Sequence, residues 1–302
     1  MTRLLLLALA LLSSCASRAA APSGLQSKLE QASTGFHGIV GVHVRHLETG
    51  EEASLRADET FPTASLVKVP ILIGLFAQIE SGKLGYRDKL LTEERHRKRD
   101  GEDLVGRFEV GAPTHPAELA MLMCSFSDNS ASLWCQELAG GGGAINARLE
   151  AAGFPITRVN SRVPGREADY RQWGWGQTTP REMAELLVRL RQRRMLSPAA
   201  DEEMLRLLSR AYWSGEALSA LPPEVHAFSK QGAINRSRSE VLLVESSNGP
   251  YVLCVITKEQ QDTSWEHDNE GFVLLRTLSR IVYEHFEGDS RWQRPAGSER
   301  FH

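Results

Sequence analysis

A serine and a lysine lie one helical turn apart in an apolar segment of the chain. They are Ser65 and Lys68, in the run S-L-V-K. Residues three apart share one face of a helix, so the lysine amine can approach the serine hydroxyl. A serine is a weak nucleophile without an adjacent base, and a lysine becomes such a base when burial lowers its pKa. The pair predicts acyl transfer, although S-x-x-K alone also recurs by chance.

Two further short motifs follow at long range. Ser127-Asp128-Asn129 stands at the junction of two predicted helices, where a capping role alone would explain it. Lys230-Gln231-Gly232 lies within a predicted strand, where a glycine often marks close approach of another group to the backbone. A lysine there could offer a fixed positive charge to a carboxylate. The alternative is a lysine that keeps an edge strand from pairing with another chain. Neither motif is specific by itself.

Together and in this order, the three motifs resemble those of class A serine β-lactamases and penicillin-binding proteins. The segments 61–65, 118–134, 144–146, 178–180 and 221–223 also look like the class A family. The resemblance implies an α/β (α+β) fold. Its five-stranded antiparallel sheet is flanked by helices, and an inserted all-helical subdomain forms a cleft with it.

The resemblance also implies catalytic roles. Ser65 would attack the lactam carbonyl and become acylated, Lys68 would take its proton, and Ser127 would relay a proton to the departing nitrogen. The backbone N–H groups of Ser65 and Ala233 would form the oxyanion hole.

The remaining residues would bind substrate. Asn129 would form a hydrogen bond to the substrate side-chain amide. Lys230 would bind the substrate carboxylate, and Gln231 and Gly232 follow it on the same predicted strand. Arg238 matches an arginine that many members use for the same carboxylate, and a solvated strand charge is the alternative.

Two positions depart from the class A pattern. The position that normally carries the glutamate activating the hydrolytic water is Val163. Glu167, four residues further on, is the candidate replacement base; the alternative is a surface glutamate in a polar turn. Gln231 stands where the family has Thr or Ser, which changes the carboxylate pocket but leaves the acylating groups intact.

Hydrophobic periodicity indicates two strands, a helical block, then three strands and a closing helix. We therefore expect a catalytic domain over 24–288, with its sheet part in 24–62 and 215–288 and its helical part in 63–214. Residues 155–179 show no periodicity and are predicted to be a functional loop. The polar tail is 289–302.

The N-terminus is predicted to be a signal peptide with a lipobox over 1–15. A nine-residue apolar run, Leu4 to Leu12, is followed by Ser13-Ser14-Cys15. This length suits a signal peptide and is too short to span a bilayer. Cys15 would be lipidated and would anchor the protein at a membrane surface. An ordinary signal peptide cut near Ala19–Ala21 is the alternative, and either one predicts a periplasmic or cell-envelope location.

The amino-acid composition limits the kinds of molecule that the protein is expected to bind. Lys and Arg total 35 against 38 Asp and Glu, a net charge of −3 that disfavours nucleic-acid binding. No metal-ligand cluster or cofactor motif is present, so neither a metal nor a cofactor is predicted. The remaining cysteines, 124, 135 and 254, lie in apolar stretches and predict buried thiols, with one disulfide left open.

The expected partner is a small-molecule β-lactam or a peptidoglycan peptide, bound by a monomer whose only membrane contact is the lipid anchor. The preferred function is a serine β-lactamase with altered deacylation. A D-alanyl-D-alanine peptidase-like penicillin-binding enzyme is the second reading, because slow deacylation produces that behaviour. A non-catalytic peptidoglycan-binding lipoprotein is the third.

Overall fold

The computed structural model describes residues 24–98, 103–288 and 292–301. The predicted signal peptide, Cys15 and part of the predicted tail lie outside these residues. Within them, no helix is long and apolar enough to cross a bilayer. Cys124, Cys135 and Cys254 are buried free thiols.

The helices and strands of the described residues occur partly in groups along the chain, such as three successive helices over 116–151 and three successive strands over 226–258. The α-helices are α1 (Gly24–Ser33), α2 (Lys68–Glu80), α3 (Pro116–Ser125), α4 (Asn129–Leu138), α5 (Gly141–Ala151), α6 (Glu167–Trp173), α7 (Pro180–Arg191), α8 (Pro198–Leu208) and α9 (Glu270–Glu287). The strands are β1 (Ile39–His46), β2 (Glu52–Leu55), β3 (Phe61–Pro62), β4 (Leu90–Leu91), β5 (Pro113–Thr114), β6 (Arg158–Val159), β7 (Gly176–Thr178), β8 (His226–Ile234), β9 (Ser237–Ser246) and β10 (Gly249–Lys258). Short 3₁₀ turns include Ala64–Val67 and Ala217–Ala220.

Five strands form one antiparallel sheet in the order β2-β1-β10-β9-β8. Strands from the two ends of the chain meet at its centre, where Val42 of β1 pairs with Val255 of β10. The predicted fold class is therefore confirmed: helices flank a sheet whose strands come from both ends of the chain.

Both faces of the sheet are covered. Successive side chains of a strand point to opposite faces, so β10 sends Val252 and Cys254 into different clusters from Tyr251 and Leu253. The first pair packs in the cluster that contains the buried residues of α2 and α7, and the second packs with those of α1 and α9. The helix α2 is buried along most of its length because the helices α3, α4, α5 and α8 pack around it.

The segment predicted as an irregular loop contains regular structure. Residues 155–179 include β6, α6 and β7, with β7 pairing to both β3 and β6. The helix α6 has no buried residue, so it leaves no apolar periodicity in the sequence. The two strands are only two and three residues long, too short to alternate visibly.

Candidate active site

Ser65 lies on a tight turn immediately before α2. The segment begins as a 3₁₀ turn, Ala64–Val67, and becomes α-helical at Lys68. Ala64 has a φ of +44°, a left-handed conformation that non-glycine residues rarely adopt and that clusters at functional sites. The turn brings Lys68 Nζ to 2.8 Å from Ser65 Oγ.

The amine of Lys68 is crowded with oxygen atoms. Besides Ser65 Oγ, it lies 2.9 Å from Ser127 Oγ, 3.0 Å from Asn129 Oδ1 and within contact of the Ser127 carbonyl oxygen. An ammonium has three protons for these four oxygens, whereas a neutral amine has two and a lone pair that can accept one. Burial, and secondarily the charge of Lys230, hold the pKa of Lys68 well below its ordinary value. The arrangement therefore allows Ser65 to donate its proton to Lys68.

Ser127 connects the two lysines. Its Oγ accepts hydrogen bonds from Lys68 Nζ at 2.9 Å and from Lys230 Nζ at 3.1 Å. Its φ is +58°, so this residue too is held in the left-handed region. A hydroxyl between two amines has the geometry to relay a proton.

Two buried aspartates hold the Ser127–Asn129 segment in place. Asp128 caps α4 through the Ala131 N–H at 2.7 Å and also accepts the N–H groups of Leu104 and Val105. Asp103 accepts the N–H groups of Asn129 at 2.6 Å and Ser130 at 3.0 Å. Each aspartate therefore secures the segment that carries the other. Sequence analysis missed Asp103.

The strand β8 closes the other side of the site. Lys230 is 2% exposed, and burial lowers its pKa to about 8. Besides Ser127 Oγ, its amine bonds Gln231 through the backbone oxygen at 2.9 Å and the side-chain Oε1 at 2.8 Å. Gly232 lies directly against the Ser65 turn, because a Cβ at this position would be 2.8 Å from the Ser65 backbone nitrogen.

A cavity of about 760 Å³ opens at these groups. Ser65 and Ala233, whose N–H groups were expected to form the oxyanion hole, both line it. Ser127, Asn129 and Gln231 also line it, while Lys68 and Lys230 lie buried beneath and bond to these residues. Residues that sequence analysis did not assign complete the wall: Asp103, Phe126, Asp128, Trp213, Gly215, Glu216, Trp265, His267, Phe272 and Arg276.

Residues 24–286 match the model of the Beta-lactamase enzyme family. The chain belongs to this family. A curated β-lactamase from Rhodobacter capsulatus is 27% identical over 247 residues, which are 80% of this chain and 82% of the relative. The family and its fold identify a serine β-lactamase-type or penicillin-binding-protein-like hydrolase.

Solved structures of the family share the fold. The structure of PBP-A is 25% identical, with a TM-score of 0.78, and the match covers 88% of this chain and 97% of PBP-A. An ancestral class A β-lactamase, named GNCA, is 24% identical with a TM-score of 0.75, over 87% of this chain and 100% of that one. A variant of PBP-A has been solved as its acyl-enzyme complex with penicillin G.

Arg238 does not have the place expected from the family pattern. Its side chain is fully buried, and its guanidinium donates to the carbonyl oxygens of Ile234, Ser237 and Ser264. It lies between the rings of Trp265 and Phe272, 4.6 Å from each centroid. In this conformation the guanidinium supports the cavity wall from behind and does not line the cavity.

Glu167 is not brought to Ser65 either. It is exposed at the start of α6, accepts the Gly165 N–H at 3.1 Å, and lines a separate surface pocket with Val163. Bonds from backbone N–H groups lower the pKa of this carboxyl, which weakens it as a base. The structure therefore gives no support to Glu167 as the general base for deacylation.

The loop that carries Glu167 is held by polar contacts. Arg166 donates to Asn160 Oδ1 at 2.7 Å and to Gln177 Oε1 at 2.9 Å, across to β7. Ser161 exchanges hydrogen bonds with Gln136. Trp175 packs against the helical core. Together these contacts hold the loop in place.

The described residues contain no group of three or more His, Cys, Asp or Glu side chains arranged to hold a metal ion. The oxygen atoms around the Lys68 amine belong to two hydroxyls, an amide side chain and a backbone carbonyl, a set suited to proton transfer.

Proposed function

We propose that β-lactams acylate Ser65 and that the resulting ester is long-lived, so that the protein acts as a penicillin-binding enzyme of the D-alanyl-D-alanine peptidase type. The observation that carries this proposal is the buried Lys68 amine, 2.8 Å from Ser65 Oγ and 2.9 Å from Ser127 Oγ. It supplies a base for acylation and a connected hydroxyl for protonating the departing nitrogen.

The loop supports slow deacylation. Among the described residues of 155–179, no carboxylate lines the Ser65 cavity, and Val163 occupies the family's glutamate position. Hydrolysis of the ester needs a base that activates water on the acylated carbonyl. Lys68 and Ser127 take part in acylation, so an acyl-enzyme forms faster than it is cleared.

Efficient β-lactam hydrolysis is the second candidate function. The similarity to the curated β-lactamase of Rhodobacter capsulatus favours it. A water activated by Lys68 itself would then clear the ester.

Intact-protein mass spectrometry with benzylpenicillin distinguishes the two. The protein is mixed with the antibiotic, excess antibiotic is removed, and the adduct is followed over time and mapped by proteolysis. We expect a stoichiometric adduct on Ser65 that persists for many minutes and is absent from Ser65→Ala. Ser81→Ala, an exposed serine just after α2, is the matched control and should label normally. Rapid loss of the adduct with release of opened antibiotic would establish hydrolysis, and no adduct at all would overturn both candidates.

A predicted lipid anchor at Cys15 and a cell-envelope location are consistent with such a role. Membrane fractionation of cells that express the native chain and Cys15→Ala tests them. The native protein should sediment with membranes and the variant should not.

A further inference from the structure

Three aromatic side chains form part of the wall of the Ser65 cavity. We call them the aromatic subsite, and they are Trp213, Trp265 and Phe272. Trp213 lies in the segment after α8, Trp265 in the loop before α9, and Phe272 in the first turn of α9. The acylation chemistry uses none of these rings, so their place at the cavity has another explanation.

Trp265 is held in one orientation although it is 59% exposed. The guanidinium of Arg238 lies 4.6 Å from the centroid of its ring and 4.6 Å from that of Phe272, in the geometry of a cation–π contact. Arg238 also donates to the backbone oxygen of Ser264, and so does the side chain of Asn269 at 3.0 Å. The ring of Trp265 is therefore ordered before any ligand binds, and much of it stays uncovered.

Trp213 is held by the helical part of the protein. Its indole N–H donates to the backbone oxygen of Phe126 at 2.9 Å, and Phe126 directly precedes Ser127. Tyr212 stacks on the ring of Phe126 and packs edge-on against Trp213. Trp213 therefore lies beside Ser127, the hydroxyl that would protonate the departing nitrogen.

Arg276 connects the segments that carry the two tryptophans. From α9, its guanidinium donates to the backbone oxygens of Gly215 and His267, each two residues after one of the tryptophans, Trp213 and Trp265. These bonds keep both segments against the same part of α9. The rings of the aromatic subsite therefore face one region of the cavity.

Glu216, which lines the same region, adds little charge to it. Its Oε2 atom is shielded from solvent, and burial raises the pKa of this carboxyl, which favours the uncharged acid. The aromatic rings are therefore the main apolar surface that a ligand meets there. Such rings bind flat aromatic groups by offset or edge-on stacking.

We infer that the aromatic subsite binds a flat aromatic substituent on the side of the ligand that contains the departing nitrogen. The position of Trp213 beside Ser127 selects that side of the ligand. Because the rings are already ordered, stacking on them costs little conformational entropy. The inference rests on the proposed function only in that the ligand lies in the Ser65 cavity in the orientation for acylation.

Two cephalosporins provide a matched pair of probes. Nitrocefin and cephalothin share the thienylacetamido side chain and the carboxylate, and they differ at C3, in the ring that contains the departing nitrogen. Nitrocefin has a dinitrostyryl group there, and cephalothin has an acetoxymethyl group. Binding is measured by NMR titration of Ser65→Ala, which lacks the nucleophile. We expect nitrocefin to bind at least about tenfold more tightly than cephalothin, because only its C3 group can stack on the rings.

Substitutions of Trp265 in the same background show whether the ring causes this preference. Trp265→Ala should reduce the ratio of the two affinities to less than about threefold, and Trp265→Phe, which keeps an aromatic ring, should retain most of it. Tyr170→Ala is the control, at a 45% exposed aromatic residue that lines a separate pocket, and it should keep the original ratio. An unchanged ratio in Trp265→Ala would overturn the inference.

The indole N–H signals of the six tryptophans report where the C3 group lies. The signal of Trp265, identified by its loss in Trp265→Ala, should shift strongly with nitrocefin and weakly with cephalothin. Equal affinities for the two probes would overturn the inference, and so would the absence of nitrocefin binding at its highest soluble concentration.

These measurements do not depend on acylation. If benzylpenicillin fails to label Ser65 while nitrocefin is preferred as described, the proposed function fails and the aromatic subsite stands. If labelling occurs and the two cephalosporins bind alike, the assignment of the aromatic subsite fails alone.

Discussion

Gly232 of β8 lies against the backbone of Ser65. A Cβ at position 232 would come within 2.8 Å of the Ser65 nitrogen and within 3.0 Å of the Thr63 carbonyl oxygen. Both are backbone atoms of the turn that carries the nucleophile, so neither can move without moving Ser65. The closeness of strand and turn also fixes where Ala233 and Ser65 line the cavity together.

Gly232→Ala should therefore separate the strand from the turn. We expect the rate of Ser65 labelling by a fluorescent penicillin to fall at least about 100-fold, and stability to fall by about 1–3 kcal/mol because the added methyl is overpacked. Gly143→Ala is the control: its Cβ would meet nothing within 4 Å, and it lies inside α5, so it should label normally and be slightly more stable. Normal labelling by Gly232→Ala would show that the contact does not position Ser65.

Acylation should depend on pH through two lysines. Lys68 must be neutral to take a proton, and burial lowers its pKa, so the rate should rise with pH as Lys68 loses its proton. Lys230 must be charged to attract a carboxylate, and its pKa is about 8, so the rate should fall as pH rises past about 8. A plot of the second-order rate constant of labelling against pH, measured between pH 5 and 10, should therefore be bell-shaped.

The variant Lys230→Arg tests whether Lys230 causes the fall in labelling rate above about pH 8. A guanidinium stays protonated throughout this range, so the rate of this variant should no longer fall near pH 8. Lys258→Arg, at a lysine paired with Glu59 away from the cavity, should keep the wild-type profile. A wild-type rate that continues to rise through pH 10 would contradict the role of Lys230.

The acylating groups could be predicted from sequence because each belongs to a short motif. Ser65 and Lys68 are one turn apart, so local spacing predicts their contact. Ser127 and Asn129 lie more than 60 residues further on, so only the resemblance to class A enzymes predicted that they join this pair. Asp103 could not be predicted in this way. It lies 26 and 27 residues before the two residues that it holds, Asn129 and Ser130, and no periodic pattern surrounds it.

The loop and the cavity wall were beyond sequence analysis for related reasons. The helix α6 has no buried residue, so nothing in its composition shows where Glu167 faces. Arg238 matched a family position, but its rotamer is set by carbonyl groups from residues 234 to 264, whose proximity exists only in the fold. Glu216 and Arg276 meet at one cavity from segments about 60 residues apart.

Glu167→Gln should leave the lifetime of the acyl-enzyme within about twofold of wild type. Glu167 is exposed and lines a different pocket, so removing its charge does not change the surroundings of the ester. The measurement is the decay of the benzylpenicillin adduct followed by mass spectrometry. A severalfold longer lifetime in Glu167→Gln would show that the loop moves and brings this carboxylate to Ser65.

Glu240 should make the protein less stable as pH rises. It is fully buried on β9, and burial together with the nearby Glu216 raises its pKa to about 8. An exposed glutamate in the unfolded chain ionises near its ordinary pKa of 4.5. The folded state therefore holds a proton that the unfolded state has lost, and stability falls from about pH 4.5 to pH 8.

Glu240→Gln removes this difference in bound protons at Glu240, one of two neighbouring carboxyls with Glu216. Its free energy of unfolding relative to wild type should increase between pH 5 and pH 8 by more than about 1 kcal/mol, since each unit of pKa shift corresponds to about 1.4 kcal/mol. A constant offset from changed bonding to Ser229, whose Oγ donates to Glu240 at 2.5 Å, does not affect this slope. Urea denaturation at four pH values measures it. The control is Glu266→Gln, at an exposed glutamate, whose free energy of unfolding should change with pH as that of wild type does. If the free energy of unfolding of Glu240→Gln also changes with pH as that of wild type does, Glu240 is ionised in the folded protein.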